Sequence, residues 1–428
     1  MRMTMTLAAA WLFRTSMAFV SRESAGTGYR LATMTASTSS ASQSLFGGPV
    51  TTRLFSVSNG IEADVNSGIS RVETLQAMLS SHGAPGSVGC SSPDDLEPVF
   101  VAAAGTPEDA EETPELVADI MRMNEYANLH PHLYPLAKSK STGNFICALR
   151  RAYADDASDL YENSSKAPWP IVEAQMGGPG MRLVALNSEH LMRRIVCECD
   201  FEGERKELIE LYNEDLGQGV IRDEGLDQPY EEGSVEKLGY GVDKFVLLRV
   251  GPFPDIYSNL ALAHAERGDE PSSLIAAEAA NGKISGFAST FLFYSSLLNS
   301  FPNRSEETRD ASRMCLRMPL PSIGLGVKEF RDVGILGQIA EDSDTDEEVF
   351  AKLQIMYEKM REHETDDPRS ANNDMTPEQK AIDEANYVID SAALTGANWS
   401  EIRPKLAEIY KSVGRDDIAV FVNPTNTP

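Results

Sequence analysis

The stretch 406–419 near the C-terminus reads LAEIYKSVGRDDIA and decides the fold of the last third of the chain. Five residues set its pattern, and these are Leu406, Ala407, Tyr410, Gly414 and Ala419. The spacing predicts two antiparallel helices that meet at Gly414, which takes a left-handed backbone conformation and ends the first helix. Alanine on each helix permits close approach, and Tyr410 fills the space between them. A tightly packed helix pair is therefore expected here.

A second stretch repeats these offsets at Leu260, Ala261, His264, Gly268 and Ser273, with histidine in the aromatic position. The two patterns resemble the tetratricopeptide repeat, although neither has tryptophan at the repeat's fourth position. That resemblance implies stacked helix pairs that form a surface for binding other proteins. An irregular helical bundle with small residues at its turns is the alternative, and the sequence leaves both open.

The rest of the chain also shows mainly helical spacing, so we predict a mainly α fold that is either an irregular helical bundle or a short α-solenoid. Apolar residues predict helices at 116–123 and 146–152, and Asn187 or Ser188 caps a long helix that continues to Leu211. Two β-prone runs flank a glycine-rich turn and predict a small β-hairpin at 170–186.

Changes in composition divide the chain into five segments. These are a presequence at 1–60, a loosely ordered lead-in at 61–113, a helical region with a β-hairpin at 114–212, an acidic linker at 213–237 and a helical-repeat-like region at 238–424. Glycine, serine and proline punctuate the lead-in, whereas acids dominate the linker.

Charge and cysteine content exclude several classes of protein. The chain has 38 Lys and Arg against 65 Asp and Glu, a net charge of -27. A nucleic-acid partner is not expected, since phosphate contacts need a basic surface. The charge also disfavours association with anionic lipid headgroups. Five cysteines without a CxxC pair indicate thiols in a reducing compartment rather than a disulfide framework.

The first 60 residues predict import into an organelle. An apolar run at 7–13 and small residues at 16–18 resemble a signal peptide, and the run is too short for a membrane anchor. Phe19 follows and opens an acid-poor stretch rich in Ser and Thr. This arrangement resembles the bipartite presequences of algae with secondary plastids, which implies a plastid stroma. The string Arg-Leu-Phe-Ser at 53–56 resembles a mitochondrial processing site, so a mitochondrion is the alternative.

The candidate metal ligands are not spaced in sequence so that they could bind one metal ion. Cys197 and Cys199 diverge on a helix, and His130 and His132 have no further ligand at a suitable distance in sequence. The acids at 342–346 imitate a calcium loop but lack its glycine and its bidentate glutamate. No phosphate-binding, nucleotide-binding or hydrolase motif is present, so we predict no metal, no cofactor and no catalytic residue.

The sequence favours a non-catalytic plastid protein, a scaffold, assembly or accessory factor that contacts other proteins through helices from Leu238 onward. Around 316–319 and 377–422 the chain also resembles an uncharacterised family of plastid proteins from algae and plants. The alternative is an enzyme or small-molecule binder at 177–193, where a glycine-rich turn precedes Glu189, His190 and Arg193. A deep pocket formed by these three side chains would favour that alternative.

Overall fold

The computed structural model describes residues 65, 68–99, 126–152, 168–214, 228–366 and 375–424, all within the unit Val57–Pro428. The predicted presequence at 1–60 and the predicted helix at 116–123 lie outside the described residues. The predicted linker at 213–237 is described only at 213–214 and 228–237.

An antiparallel sheet occupies the first half of the described chain. Its strands are β1 Leu96–Pro98, β2 Leu133–Ser139, β3 Phe145–Leu149, β4 Ile171–Ala174 and β5 Met181–Ala185. Their order across the sheet is the order along the chain, and each strand pairs with its sequence neighbours. The sheet is therefore a simple meander.

Strand β3 replaces the helix predicted at 146–152, and that prediction is wrong. Ile146 lies opposite Ala137 of β2 on one side and Glu173 of β4 on the other. Residues on both faces of β3 are buried, so the strand shows no alternation of apolar and polar residues. Such a run fits helical spacing equally well, and pairing with distant strands decides its conformation.

The hairpin predicted at 170–186 is confirmed. Ile171 pairs with Ala185 and Ala174 pairs with Met181. In the turn, Gly177 has φ 67°, and its N–H donates to the Asn128 carbonyl over 2.9 Å. The predicted glycine-rich turn therefore connects two strands of a larger sheet.

Five helices lie before and after the sheet in the sequence, up to residue 249. They are α1 Val72–His82, α2 Ser188–Glu202, α3 Lys206–Glu214, α4 Ser234–Leu238 and α5 Val242–Arg249. Asn187 caps α2 by accepting the His190 N–H over 2.7 Å. The predicted continuation of this helix to Leu211 is wrong, because Gly203 and Arg205 have φ values of 72° and 52° and separate α2 from α3.

The remaining described chain is helical. Its helices are α6 Pro254–Glu266, α7 Glu270–Lys283, α8 Ser289–Asn299, α9 Ser305–Met314, α10 Val327–Leu336, α11 Asp346–Asp366, α12 Pro377–Thr395, α13 Trp399–Ser412 and α14 Asp416–Val422, with short 3-10 helices at Cys315–Arg317 and Leu320–Ile323. The described residues thus hold fourteen α-helices and five strands. The predicted mainly α fold with a small β element is confirmed, and the solenoid alternative stays a prediction.

Both faces of the sheet are covered. One face carries Ile146 and Val184 and belongs to a core that extends from α1 to α14. The other face carries Phe145 and Val172 and packs against Phe287 and other residues at the end of α7 and beyond it. Because helices cover both faces, the sheet anchors the helices that precede and follow it.

The two predicted helix-pair stretches lie at two inter-helix turns. Gly268 separates α6 from α7 with φ 75°, and Gly414 separates α13 from α14 with φ 78°. In the first pair, Ser273 Oγ donates to the Ala261 carbonyl over 2.7 Å. Tyr410 in the second pair is almost completely buried. Their place in a repeat that binds partners remains a prediction.

Replacing Gly414 and Gly282 with alanine should change stability in opposite directions. A Cβ at either position meets no neighbouring atom within 4 Å, so only the backbone conformation differs. Gly414→Ala should lower the free energy of unfolding by about 1 kcal/mol, because alanine is strained at positive φ. Gly282→Ala in α7 should raise it by up to about 1 kcal/mol, through helix propensity.

Urea denaturation of the two variants and the unmodified chain provides the measurement. Equal effects of the two substitutions would contradict the conformation assigned to Gly414.

Candidate functional site

A half-open cleft lies where the sheet, the segment after α7 and the C-terminal helices meet. It holds about 550 Å³ of space between protein atoms, including solvent at its mouth. The described residues that line it are His130, His132, Leu149, Arg150, Arg151, Ala152, Met181, Gly286, Phe287, Pro319, Pro321, Ser322, Asn386, Ile389, Asp390 and Tyr410. The lining therefore combines an apolar surface with a few polar groups, as ligand sites do.

His132 connects the sheet to the C-terminal helices. Its Nδ1 lies 2.9 Å from the carbonyl oxygen of Arg150, which can only accept a hydrogen bond, so Nδ1 carries the proton. Its Nε2 therefore accepts from the Tyr410 hydroxyl over 3.0 Å. Burial lowers the pKa of His132 to about 4. The ring is neutral at physiological pH, in a tautomer that both partners fix.

His130 lies beside it in a turn in which the Leu133 N–H donates to the His130 carbonyl. Its Nδ1 accepts the His132 N–H over 3.3 Å, and its ring packs at 4.7 Å from the ring of Trp399. Burial holds its pKa well below the usual value. The Nε2 atom is buried and has no hydrogen-bond partner among the described residues. This N–H donor is therefore buried with no acceptor in the part of the chain that the structure describes.

Two buried arginines hold the C-terminal helices against the sheet. Arg150 follows β3 and pairs with Asp417 of α14 over 2.7 Å. Arg403 of α13 donates to the carbonyl oxygens of Leu129 and Val422 over 2.6 and 2.8 Å. Burial lowers the pKa of Arg403 to about 10. Carbonyl acceptors rather than carboxylates satisfy this guanidinium.

Asp390 joins α12 to two other elements. Its carboxyl group accepts the Leu320 N–H over 2.9 Å and the Tyr357 hydroxyl of α11 over 3.0 Å. Burial raises the pKa of Asp390 to about 7, and the two hydrogen bonds oppose that shift. The residue thus fixes three elements with a carboxyl group that titrates close to neutral pH.

Arg151 carries the remaining charge of the cleft. Its guanidinium lies over the Phe287 ring, 5.0 Å from the ring centre. No hydrogen bond or ion pair joins Arg151 to another of the described residues. A Cβ at Gly286 would lie 3.6 Å from its Nη2 atom, so the glycine leaves space beside the guanidinium.

The residues singled out from sequence occupy two separate helix pairs. Leu260, Ala261 and Gly268 belong to α6 and the turn that follows it, whereas Leu406, Ala407, Tyr410, Gly414 and Ala419 belong to α13, α14 and their turn. Of this set, only Tyr410 lines the cleft among the described residues. Its contact with His132 could not be expected from sequence, because the two residues lie 278 positions apart.

The three side chains of the alternative site at 177–193 all have structural contacts. Glu189 forms an ion pair with Arg71 of 2.7 Å, and the Arg193 guanidinium lies 4.8 Å from the ring centre of Tyr230. His190 packs close to Gly251. Arg71 and Arg193 both lie over the Tyr212 ring, at 4.3 and 5.4 Å from its centre, so Glu189 and Arg193 meet at a ring where each already has a partner.

The candidate metal ligands also have structural roles. Among the described residues, no group of His, Cys, Asp or Glu could hold a metal ion. Asp344 accepts the Lys352 ammonium over 2.6 Å, and Asp346 pairs with Arg331 over 3.0 Å. All five cysteines lie in the described residues and are buried without a disulfide. Burial raises the pKa of Cys197 to about 12, which makes its thiol a poor nucleophile.

Sequence reasoning missed Asp390, Arg150 and Arg151. Asp390 carries a visible signal, because it interrupts the apolar sequence Val388-Ile389-Asp390 of a predicted helix. An acid on such a face needs polar partners when it is buried. Neither arginine carries a comparable signal, since their neighbours come from distant parts of the chain.

Removing the charge of Asp390 should alter the pH dependence of stability. The folded-state pKa lies above the unfolded value of 3.8, so the folded chain holds one more proton between about pH 4 and 7. The contribution of Asp390 to stability is therefore present at low pH and is lost as pH rises through that range. When the pH is raised from 5 to 8, the free energy of unfolding of Asp390→Asn should rise relative to that of the unmodified chain by on the order of 2 kcal/mol.

Urea denaturation at both pH values measures this difference directly. Glu384→Gln, an exposed acid on the same helix, is the matched control and should show no such change. Comparison with the unmodified chain cancels the opposite effect of the buried histidines, whose lowered pKa values destabilise the fold as pH falls below about 6. If the difference in free energy of unfolding between Asp390→Asn and the unmodified chain is the same at both pH values, the pKa of Asp390 is not raised.

Two conserved-domain families match the helical part of the chain. Residues 254–340 match the PAB middle domain, and residues 353–425 match the PAB C-terminal domain. The first range covers α6 to α10, and the second begins within α11. The cleft takes residues from both ranges and from the sheet that precedes them.

One curated protein matches over most of its length. The chain is 30% identical over 299 residues to "Protein IN CHLOROPLAST ATPASE BIOGENESIS, chloroplastic" of Arabidopsis thaliana, which covers 69% of this chain and 78% of the relative. No solved structure matches the chain. The extent of the match and the two PAB domains show that the chain belongs to the plastid-associated family of this Arabidopsis protein.

Proposed function

We propose that this protein is a non-catalytic accessory factor in the biogenesis of a plastid ATPase and acts by binding a protein that is being assembled. The observation that carries the proposal is the 30% identity to a relative whose name states a role in chloroplast ATPase biogenesis. The match covers 69% of this chain and 78% of the relative. A shared mode of action is the simplest account of a match over that length.

Contacts between the three regions support action as one rigid body. Asp390 of the C-terminal domain accepts the Leu320 N–H of the middle domain. Tyr410 and Asp417 of the C-terminal domain contact His132 and Arg150 of the sheet region. Buried polar contacts of this kind lose much of their energy when one partner moves, so they oppose relative motion of the regions.

The proposed binding face consists of helices α5 to α7. Leu248, Leu262 and Ile275 are exposed there by 66%, 46% and 66%. Single exposed aliphatic residues are common on protein surfaces, but three on consecutive helices offer apolar anchors to a partner. The net charge of -27 favours a partner with a basic surface.

The enzymatic alternative at 177–193 has less support, because Glu189 and Arg193 are already paired with Arg71 and with the rings of Tyr212 and Tyr230, and His190 packs close to Gly251. The buried cysteines give no reactive thiol in its place.

For location, we propose the stroma of a secondary plastid, with a mitochondrion as the alternative. The support is the presequence pattern at 1–60 together with the plastid-associated family. Within the described residues, no helix combines the length and apolarity needed to cross a membrane.

The full chain, placed behind a plant chloroplast transit peptide, should restore ATPase assembly in Arabidopsis plants that lack the relative. Native gel electrophoresis of thylakoid membranes measures the assembled ATPase, and affinity purification from the same plastids recovers the bound partner. Accumulation of the protein without any recovery of the ATPase would overturn the proposal.

The double variant Leu262→Glu and Ile275→Glu tests the binding face. Because an anchor residue in an interface contributes more than about 1 kcal/mol, partner recovery should fall on the order of tenfold. Val88→Glu is the matched control, since Val88 is exposed by 65% but lies outside these helices. Equal partner recovery with the double variant and the control would show that this face does not bind the partner. The role in biogenesis is tested separately by the complementation experiment.

A further inference from the structure

The cleft contains a cation, Arg151, that forms no ion pair with a carboxylate of the described residues. Of the described residues that line it, Arg150 and Arg151 are cationic, and Asp390 alone carries a carboxyl group. Both histidines in the lining are held neutral by burial, which lowers their pKa values. The charge balance of the cleft therefore depends on how these three residues are paired.

Two of the three are paired with groups other than Arg151. Arg150 forms its ion pair with Asp417 over 2.7 Å. Asp390 accepts hydrogen bonds from Leu320 and Tyr357, and the charged groups that shift its pKa are Arg361 and Asp383. Neither Asp417 nor Asp390 thus neutralises Arg151.

Arg151 contacts an aromatic ring instead. Its guanidinium lies over Phe287, and an arginine in that position keeps an edge of N–H donors that fits a carboxylate. In a chain with 65 acids against 38 bases, an arginine that pairs with no acid in the part of the chain that the structure describes is unusual. The adjacent Gly286 has no side chain beside the guanidinium, and Arg151 lines the cleft.

The surroundings of Arg151 are suited to an organic anion. Phe287, Met181, Leu149 and Pro321 supply an apolar surface within the same cleft. His130 also lines the cleft, but its Nε2 atom is buried and contributes no accessible donor. An apolar surface beside a guanidinium that pairs with no described carboxylate fits a ligand with an apolar body and an acidic group.

We propose that this cleft binds an organic carboxylate, whose apolar part packs on Phe287 and whose carboxylate pairs with Arg151. The ligand is either a free small carboxylic acid or the acidic side chain of a bound peptide, and both present the same chemistry. The site stands independently of a role in ATPase biogenesis.

Calorimetric titration of the full chain with phenylacetate tests the site. Phenylacetamide, which has the same shape without the charge, is the neutral counterpart. Phenylacetate should bind at least about tenfold more tightly than the amide, because an ionised partner strengthens the hydrogen bonds of a guanidinium. A peptide with a single glutamate, compared with its glutamine form, tests the second source of the carboxylate.

Arg151→Gln should remove the preference for the acid over the amide. Arg249→Gln, an exposed arginine of α5 outside the cleft, is the matched control and should leave binding unchanged. Asn386→Trp fills the cleft from α12 without touching the charge, and it should weaken both the acid and the amide. Thermal melting of each variant confirms that it is folded.

Binding of phenylacetate that depends on Arg151 assigns the site to a free acid, whereas binding of the glutamate peptide alone assigns it to a partner's side chain. Absence of binding by both probes, or binding that Arg151→Gln leaves unchanged, overturns the proposal.

Discussion

One buried guanidinium holds the C-terminal helices in place, and the geometry of the cleft depends on it. Arg403 projects from α13 and donates to the carbonyl oxygens of Leu129, between β1 and β2, and of Val422 in α14. Burying this cation is costly, which its lowered pKa reflects. Several charge-assisted hydrogen bonds offset that cost only while both segments keep their positions. The turn that carries His130 and His132 is therefore fixed relative to Tyr410.

Local features of the fold could be predicted from sequence, because their causes lie within a few residues. Gly414 marks the turn between α13 and α14, Asn187 caps α2, and the glycine-rich run at 176–180 connects two strands. Strand β3 could not be predicted, since its burial on both faces removes the periodicity that distinguishes strand from helix. The break at Gly203 was missed for a different reason. Gly203 is the same kind of signal as Gly414, but the apolar spacing continues across it and favours one long helix.

The cleft could not be predicted, because the residues that line it come from distant parts of the sequence and form hydrogen bonds with each other. Tyr410 was identified as a packing residue, yet it also donates to His132 of the sheet region. Asp390 and Leu320 lie in the two different PAB domains and share a buried hydrogen bond. The domain boundary thus crosses the site rather than enclosing it. Each PAB domain alone contains only part of the cleft.

The buried polar groups at this junction cost stability that apolar residues would not. Well-packed apolar side chains in place of a buried charge are often neutral or stabilising. Asp390, with a pKa raised to about 7, and Arg403, with a pKa lowered to about 10, both show the cost of desolvation. Apolar contacts tolerate small displacements, whereas a buried hydrogen-bonded charge accepts one arrangement only. We infer that these residues specify the relative positions of sheet, middle domain and C-terminal domain, and thereby keep the guanidinium of Arg151 beside an open cleft.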